Sequence, residues 1–176
     1  MKNTALKREL IGIAVISLLG SLFHFVFDFT GELAPVGFFT PVNESVFEHL
    51  KLTFWPTILY AAVSYKWLKS SAGNFLPAKA IAIYTMPVAI IVLFYGYTAF
   101  TGDSIVIIDI LIFFVAVACG QLAGYGVLKM KPLPQQLSWV ALSLIVVLAL
   151  IYGLFTFFPP HVSFFLDGNT GNYGMP

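Results

Sequence analysis

Charge is scarce in this sequence. Only 10% of its 176 residues are Asp, Glu, Lys or Arg, against about 25% in a water-soluble domain. Hydrophobic residues make up 59%, and mean hydropathy is +0.91. A chain of this length cannot hide so much apolar surface from water, so its solvent is lipid. Net charge is only +1, which argues against a nucleic-acid partner. Cysteine is almost missing. Cys119 stands alone in an apolar run, so no internal disulfide is available and the residue reads as a small packing group. H-E-x-x-H, G-x-S-x-G and P-loop patterns are all absent, which removes the common signatures of zinc proteases, serine hydrolases and nucleotide-triphosphate enzymes. No internal repeat is visible.

What the sequence does have is five apolar runs, about 11–29, 52–68, 80–100, 104–128 and 137–158. Each is close to the roughly 20 residues that cross a bilayer core about 30 Å thick. A spanning segment must satisfy its own backbone hydrogen bonds, so these runs predict helices. The expected fold is all-α: one transmembrane domain, 1–176, built as a bundle of five helices. Lys2, Lys7 and Arg8 precede the first run, as in a signal peptide. The run is longer than a signal core, however, and no A-x-A site follows, so it reads as a retained span. Pro56 and Pro87 predict kinks. Gly120, Gly124 and the alanines near them predict close helix contacts in the fourth span. Eight of the nine Lys and Arg residues fall in the N-terminal tail and the loops after the second and fourth spans. That asymmetry predicts a cytoplasmic N-terminus and an extracytoplasmic C-terminus in the cell membrane.

The stretch 21–51 stands out against this background. It holds two of the three histidines and four of the eight acidic residues. Gly31, Pro35, Gly37 and Pro41 break regular structure within it. Thr40-Pro41 predicts a helix start, and Ser45-x-x-Glu48 a capping box. The predicted topology brings His24, His49 and His161 to one membrane face, together with Asp28, Glu44, Glu48 and Asp167. His24 and Asp28 are four apart and share a helix face. Imidazole and carboxylate suit zinc and other divalent transition ions. The candidate ligands are therefore His24, Asp28, His49, His161 and Asp167, with Glu44 or Glu48 as general base. A lipid-like substrate would suit a site at that depth.

Simpler readings stand beside this one. A buried histidine often only hydrogen-bonds a carboxylate or carbonyl. Glu48 reads equally as a helix cap, Glu44 as a partner of the helix dipole, and Asp109 as a partner of Tyr97. Two other functions stay open. One is a small transporter or proton relay through Asp109, Asp28 and His24. The other is a structural accessory subunit whose polar cluster only holds the tail to the helices.

Two boxes carry a resemblance. Pro41-Val-Asn-Glu-Ser-Val-Phe-Glu-His-Leu-Lys-Leu52 follows His24-x-x-x-Asp28, and the chain ends in Pro160-His161, Phe165-Leu-Asp167 and Thr170-Gly-x-Tyr173-Gly174. Together they resemble a family of small prokaryotic multi-pass membrane proteins of unknown function, along essentially the whole chain. The resemblance implies that His24, Asp28, Asn43, Glu44, Glu48, His49, His161, Asp167 and Tyr173 form the family's site. It implies no reaction.

Overall fold

A computed structural model describes residues 2–68 and 72–175. The fold is all-α. Five long helices are α1 (Lys2–Phe23), α5 (Lys51–Leu68), α6 (Ala72–Thr101), α7 (Val106–Leu128) and α8 (Gln135–Phe157). Three short ones, α2 (Val26–Phe29), α3 (Ala34–Gly37) and α4 (Val46–His49), lie between α1 and α5. By length and composition α6, α7 and α8 are candidate membrane spans, and they suggest a membrane protein. Helix α1 carries Lys7, Arg8 and Glu9 near its start, and α5 buries Thr53, Thr57 and Ser64 along one side. Those hydroxyls donate to backbone carbonyls of Leu50, Thr53 and Ala61. A helix enclosed by other helices can be more polar than one facing lipid.

Helices α1, α5, α6 and α7 close a ring: α1 packs on α5 and α7, and α6 packs on α5 and α7. Helix α8 packs on the outside of α6. The most extensive seam is α6–α7. A Cβ at Gly120 would lie 2.8 Å from the Ala82 carbonyl oxygen, and one at Gly124 would lie 2.9 Å from that of Ala78. This is the close approach expected from the small residues of the fourth span.

Several boundaries differ from expectation. Helix α6 starts at Ala72 and α1 at Lys2, about two helical turns before the apolar runs expected near 80 and 11. The first apolar run is not one helix. The chain turns at His24-Phe25 between α1 and α2, with no Gly or Pro at the turn to force it. The tertiary contact between His24 and His49 lies at that turn. Thr40-Pro41 starts no helix. Thr40 Oγ1 instead donates back to the Val36 carbonyl, and helix begins again at Val46 behind an Ser45 cap. The Ser45 side chain accepts the Glu48 N–H at 3.3 Å. Only half of the capping box forms, because the Ser45 N–H goes to Asn43 Oδ1.

The C-terminal tail folds onto the end of the bundle that carries α2–α4, here the capped end. Phe165 lies in the core with its ring 4.5 Å from that of Phe47, and Phe155 and Tyr152 of α8 complete the cluster. The opposite, basic end gathers the start of α1, the end of α5, the start of α6 and the α7–α8 connection. The Tyr60 hydroxyl donates to the Arg8 carbonyl. Asn74 donates to the carbonyls of Met130 and Lys131.

Candidate metal centre

Three segments bring three ligand-type side chains together at the capped end. His24 sits in the turn after α1, its N–H bonded to the Gly20 carbonyl. Glu44 lies in the loop before α4. His49 is the last residue of α4. His24 Nε2 and His49 Nε2 are 3.1 Å apart. Glu44 Oε2 is 3.3 Å from His49 Nε2 and 3.7 Å from His24 Nε2. A tetrahedral zinc ion with bonds of about 2.0–2.1 Å holds neighbouring donors about 3.4 Å apart. The three atoms thus have the spacing of one face of such a tetrahedron. Both histidine side chains are 31% exposed and that of Glu44 is 45% exposed, so the group opens outward.

The tautomer of His49 follows from its other nitrogen. Nδ1 lies 2.9 Å from the Ser45 carbonyl oxygen. A carbonyl only accepts, so Nδ1 carries the proton and the neutral ring offers its Nε2 lone pair to the group. This is how metal-ligating histidines are usually oriented. Without a metal, a doubly protonated His49 donates its Nε2–H to Glu44, and this hydrogen bond is the first cause that holds Glu44 below the ordinary carboxylate range. Burial alone would push His49 down. The bond to Glu44, the Ser45 carbonyl and the charges of Glu44 and Glu48 outweigh it, and the ring is raised. Two basic ring nitrogens and a carboxylate share one small volume, and a cation is what such a set lacks.

The loop carrying Glu44 is braced from both sides. Asn43 Oδ1 accepts the Ser45 N–H at 2.9 Å, and Asn43 Nδ2 donates to the Gly174 carbonyl at 2.7 Å. Gly174 has φ +69°, and a Cβ there would lie 2.9 Å from Pro159. The position therefore favours glycine on both counts. The tail itself is built by residues expected in the site. Asp167 is buried and accepts from the Asn169 N–H and the Thr170 hydroxyl, while its own N–H bonds the Asn172 carbonyl. Tyr173 pairs across from Leu166 and stacks on His161 with ring centres 4.6 Å apart. The C-terminal signature is thus a folded clasp.

The expected residues therefore divide. His24, Glu44 and His49 converge, with Glu44 as a third ligand-type group rather than a detached base. His161 is exposed and stacked on Tyr173, and Asp167 orders a turn. Neither belongs to the converging group. Asp28 is exposed and outside it too, though its charge reaches His24. Glu48 is not a free base. It is 2% exposed and pairs with Lys51 Nζ at 2.5 Å, while Oε2 accepts the Val42 N–H and Oε1 the Thr156 hydroxyl. Lys51 is 0% exposed and also donates to the Gly37 carbonyl and Thr156 Oγ1. Asp109 accepts the Tyr97 hydroxyl at 2.6 Å, the partnership anticipated for it.

Sequence reasoning missed a second buried pair. Lys79 Nζ lies 2.7 and 2.8 Å from the two Glu9 oxygens, with Glu9 0% and Lys79 1% exposed. The available signal was that Glu9 is the only acidic residue near the basic end.

No curated protein and no solved structure matches the chain. A family model covers residues 1–175, nearly the full length that the two boxes implied. The chain belongs to DUF6512, a family of unknown function.

Proposed function

We propose that this protein is an integral membrane protein with five spans, α1, α5, α6, α7 and α8. Its N-terminus is cytoplasmic, and it binds one divalent ion, zinc first, at the extracytoplasmic face through His24, Glu44 and His49. The observation that carries this reading is the 3.1–3.7 Å triangle of donor atoms, with His49 Nδ1 already committed to Ser45. Two histidines and one glutamate leave a coordination position free, as in catalytic rather than closed structural zinc sites. Bound there, the ion would supply Lewis-acid chemistry toward an ester or phosphoester. The chain's own part is to hold the ligands on a braced loop and a capped helix turn.

The surroundings favour a lipid-like substrate. Phe25 lies beside His24, and it, Phe29, Leu33 and Phe39 are exposed on the segment that joins His24 to the Glu44 loop, which suits immersion in the membrane interface. A shallow groove on the α1–α7 surface, lined by Leu10, Ala14, Ser17, Leu18 and Phe114, reaches Ser21, one turn before His24. An acyl chain lying there would bring its head end to the metal ligands.

The test is metal content. Protein purified without a histidine tag should carry about one zinc or similar ion per chain. His24→Ala, Glu44→Ala and His49→Ala should each lose it, and His161→Ala should keep it. A folded protein that neither carries nor takes up zinc would overturn the reading. It would favour a metal-free His24–His49 hydrogen bond, in which one proton is shared between the Nε2 atoms, as in a proton relay or a purely structural cluster.

A further inference from the structure

The basic end carries a second feature that the metal site does not use. Arg8 lies over the Trp67 ring at 4.0 Å from its centre, and Lys66 Nζ lies 4.1 Å from the same centre. Two cations thus share one indole between α1 and the last turn of α5. Lys7, Lys129 and Lys131 stand at the same end. Among the described residues none of these five cations has a carboxylate partner. The one nearby acid, Glu9, is fully buried and gives both oxygens to Lys79. Arg8 Nε is buried and has no hydrogen-bond acceptor. An aromatic face attracts a cation but supplies no lone pair in the guanidinium plane, so this donor stays unsatisfied.

We propose that Arg8, Lys66 and Trp67 bind the phosphate of an anionic membrane phospholipid at the cytoplasmic leaflet. Arg8 Nε is itself closed off, so phosphate oxygens would meet the outer guanidinium nitrogens of this half-buried residue, in the paired geometry that guanidinium favours. The ammonium of Lys66 adds a second charge. Trp67 is 38% exposed and sits where an indole packs against the glycerol region of a lipid. Cations beside a span that lack internal partners are drawn to the negative inner leaflet. The proposal rests on α1 and α5 crossing the bilayer, and is independent of any metal.

The experiment compares thermal unfolding of the full chain in detergent with added phosphatidylglycerol, phosphatidylcholine or inorganic phosphate, followed by titration of short-chain phosphatidylglycerol. Phosphatidylglycerol should raise the unfolding temperature and phosphatidylcholine should not. The double variant Arg8→Gln/Lys66→Gln should bind the short-chain lipid roughly tenfold or more weakly. The double variant Lys129→Gln/Lys131→Gln removes the same charge from the same end and should bind nearly as the parent does. Equal weakening in both variants would mean diffuse charge attraction and would overturn the site. Stabilisation by inorganic phosphate alone would mean a soluble-anion site and would overturn the lipid assignment. Arg8→Lys/Lys66→Arg keeps both charges, and its recovery of binding separates loss of the site from loss of fold. Carbonate extraction of the same variants reads membrane insertion separately. Protein that stays in the membrane but shows no lipid preference overturns this proposal alone.

Discussion

Glu48 and His49 are neighbours on one four-residue helix, yet they belong to opposite kinds of polar cluster. Glu48 joins Lys51, Thr156, Val42 and Gly37 in a closed network in which both carboxylate oxygens and the ammonium all have partners. His49 joins His24 and Glu44 in an open group whose acceptors face one another. The closed cluster has nothing left to bind. It fixes the loop 37–42 and α8 against the start of α5, and so fixes where α4 sits. The open cluster has more lone pairs than protons, and it is partly exposed. Burial and pairing of the first are what hold the second in position. A charge in an apolar setting is structural when every partner is internal, and a candidate site when partners are missing.

The sharpest way to break this contrast is to remove one side of the closed pair. Lys51→Met leaves Glu48 buried without its cation and should cost roughly 3–5 kcal/mol, measured by denaturant unfolding in detergent. Little change there would mean that the pair does not hold the capped end. Next comes the open cluster. His49→Ala or Glu44→Gln should weaken zinc binding by about a hundredfold, while the metal-free chain loses less than about 1 kcal/mol. Calorimetric titration and unfolding of the same samples would show both. A large stability loss without any zinc effect would place this cluster with the closed one.

Asn43→Ala is a finer cut. It removes the link from the Glu44 loop to Gly174 and leaves the three ligands in place. A bracing residue of this kind is worth about 10–100-fold in metal affinity, and zinc titration of the variant would read it. Affinity equal to that of the parent would mean that the loop holds Glu44 without the tail.

The smallest effect is on pH. In the metal-free chain His49 is raised from 6.5 and Glu44 lowered from 4.5. The His49 contribution is complete below about pH 6.5 and is lost as pH rises through the raised value. The Glu44 contribution is present above about pH 4.5 and is lost as pH falls through the lowered value. Metal-free stability at this site should therefore be greatest between these limits. Zinc needs the neutral ring, so zinc-linked stabilisation should grow with pH where the metal-free contribution fades. Unfolding temperatures with zinc and with chelator, taken from pH 5 to 8, should diverge. Parallel curves would count against metal binding by His49.

Much of this was legible in the chain itself. Long apolar runs dictate helices in lipid, because no other local structure satisfies the backbone there. Small residues at 120 and 124 mark a close seam, and a Ser three residues before Glu48 marks a helix start. Composition also singled out 21–51 as the polar stretch. Spacing did not show which polar groups would meet. Glu44 and Glu48 share charge, neighbourhood and a four-residue offset, yet one turns to the histidines and the other into an ion pair with Lys51. His24 and His161 both read as ligands, but one reaches His49 and the other lies flat on Tyr173. Those choices depend on a turn at His24 that no Gly or Pro announces, and on contacts between residues as far apart as Asn43 and Gly174. The sequence by itself determined a helical chain with candidate membrane spans and its chemistry-bearing groups around 21–51. Only the tertiary structure decided which of those groups are closed off and which stay open. Partners are chosen by the packing of distant segments, and no local propensity encodes that.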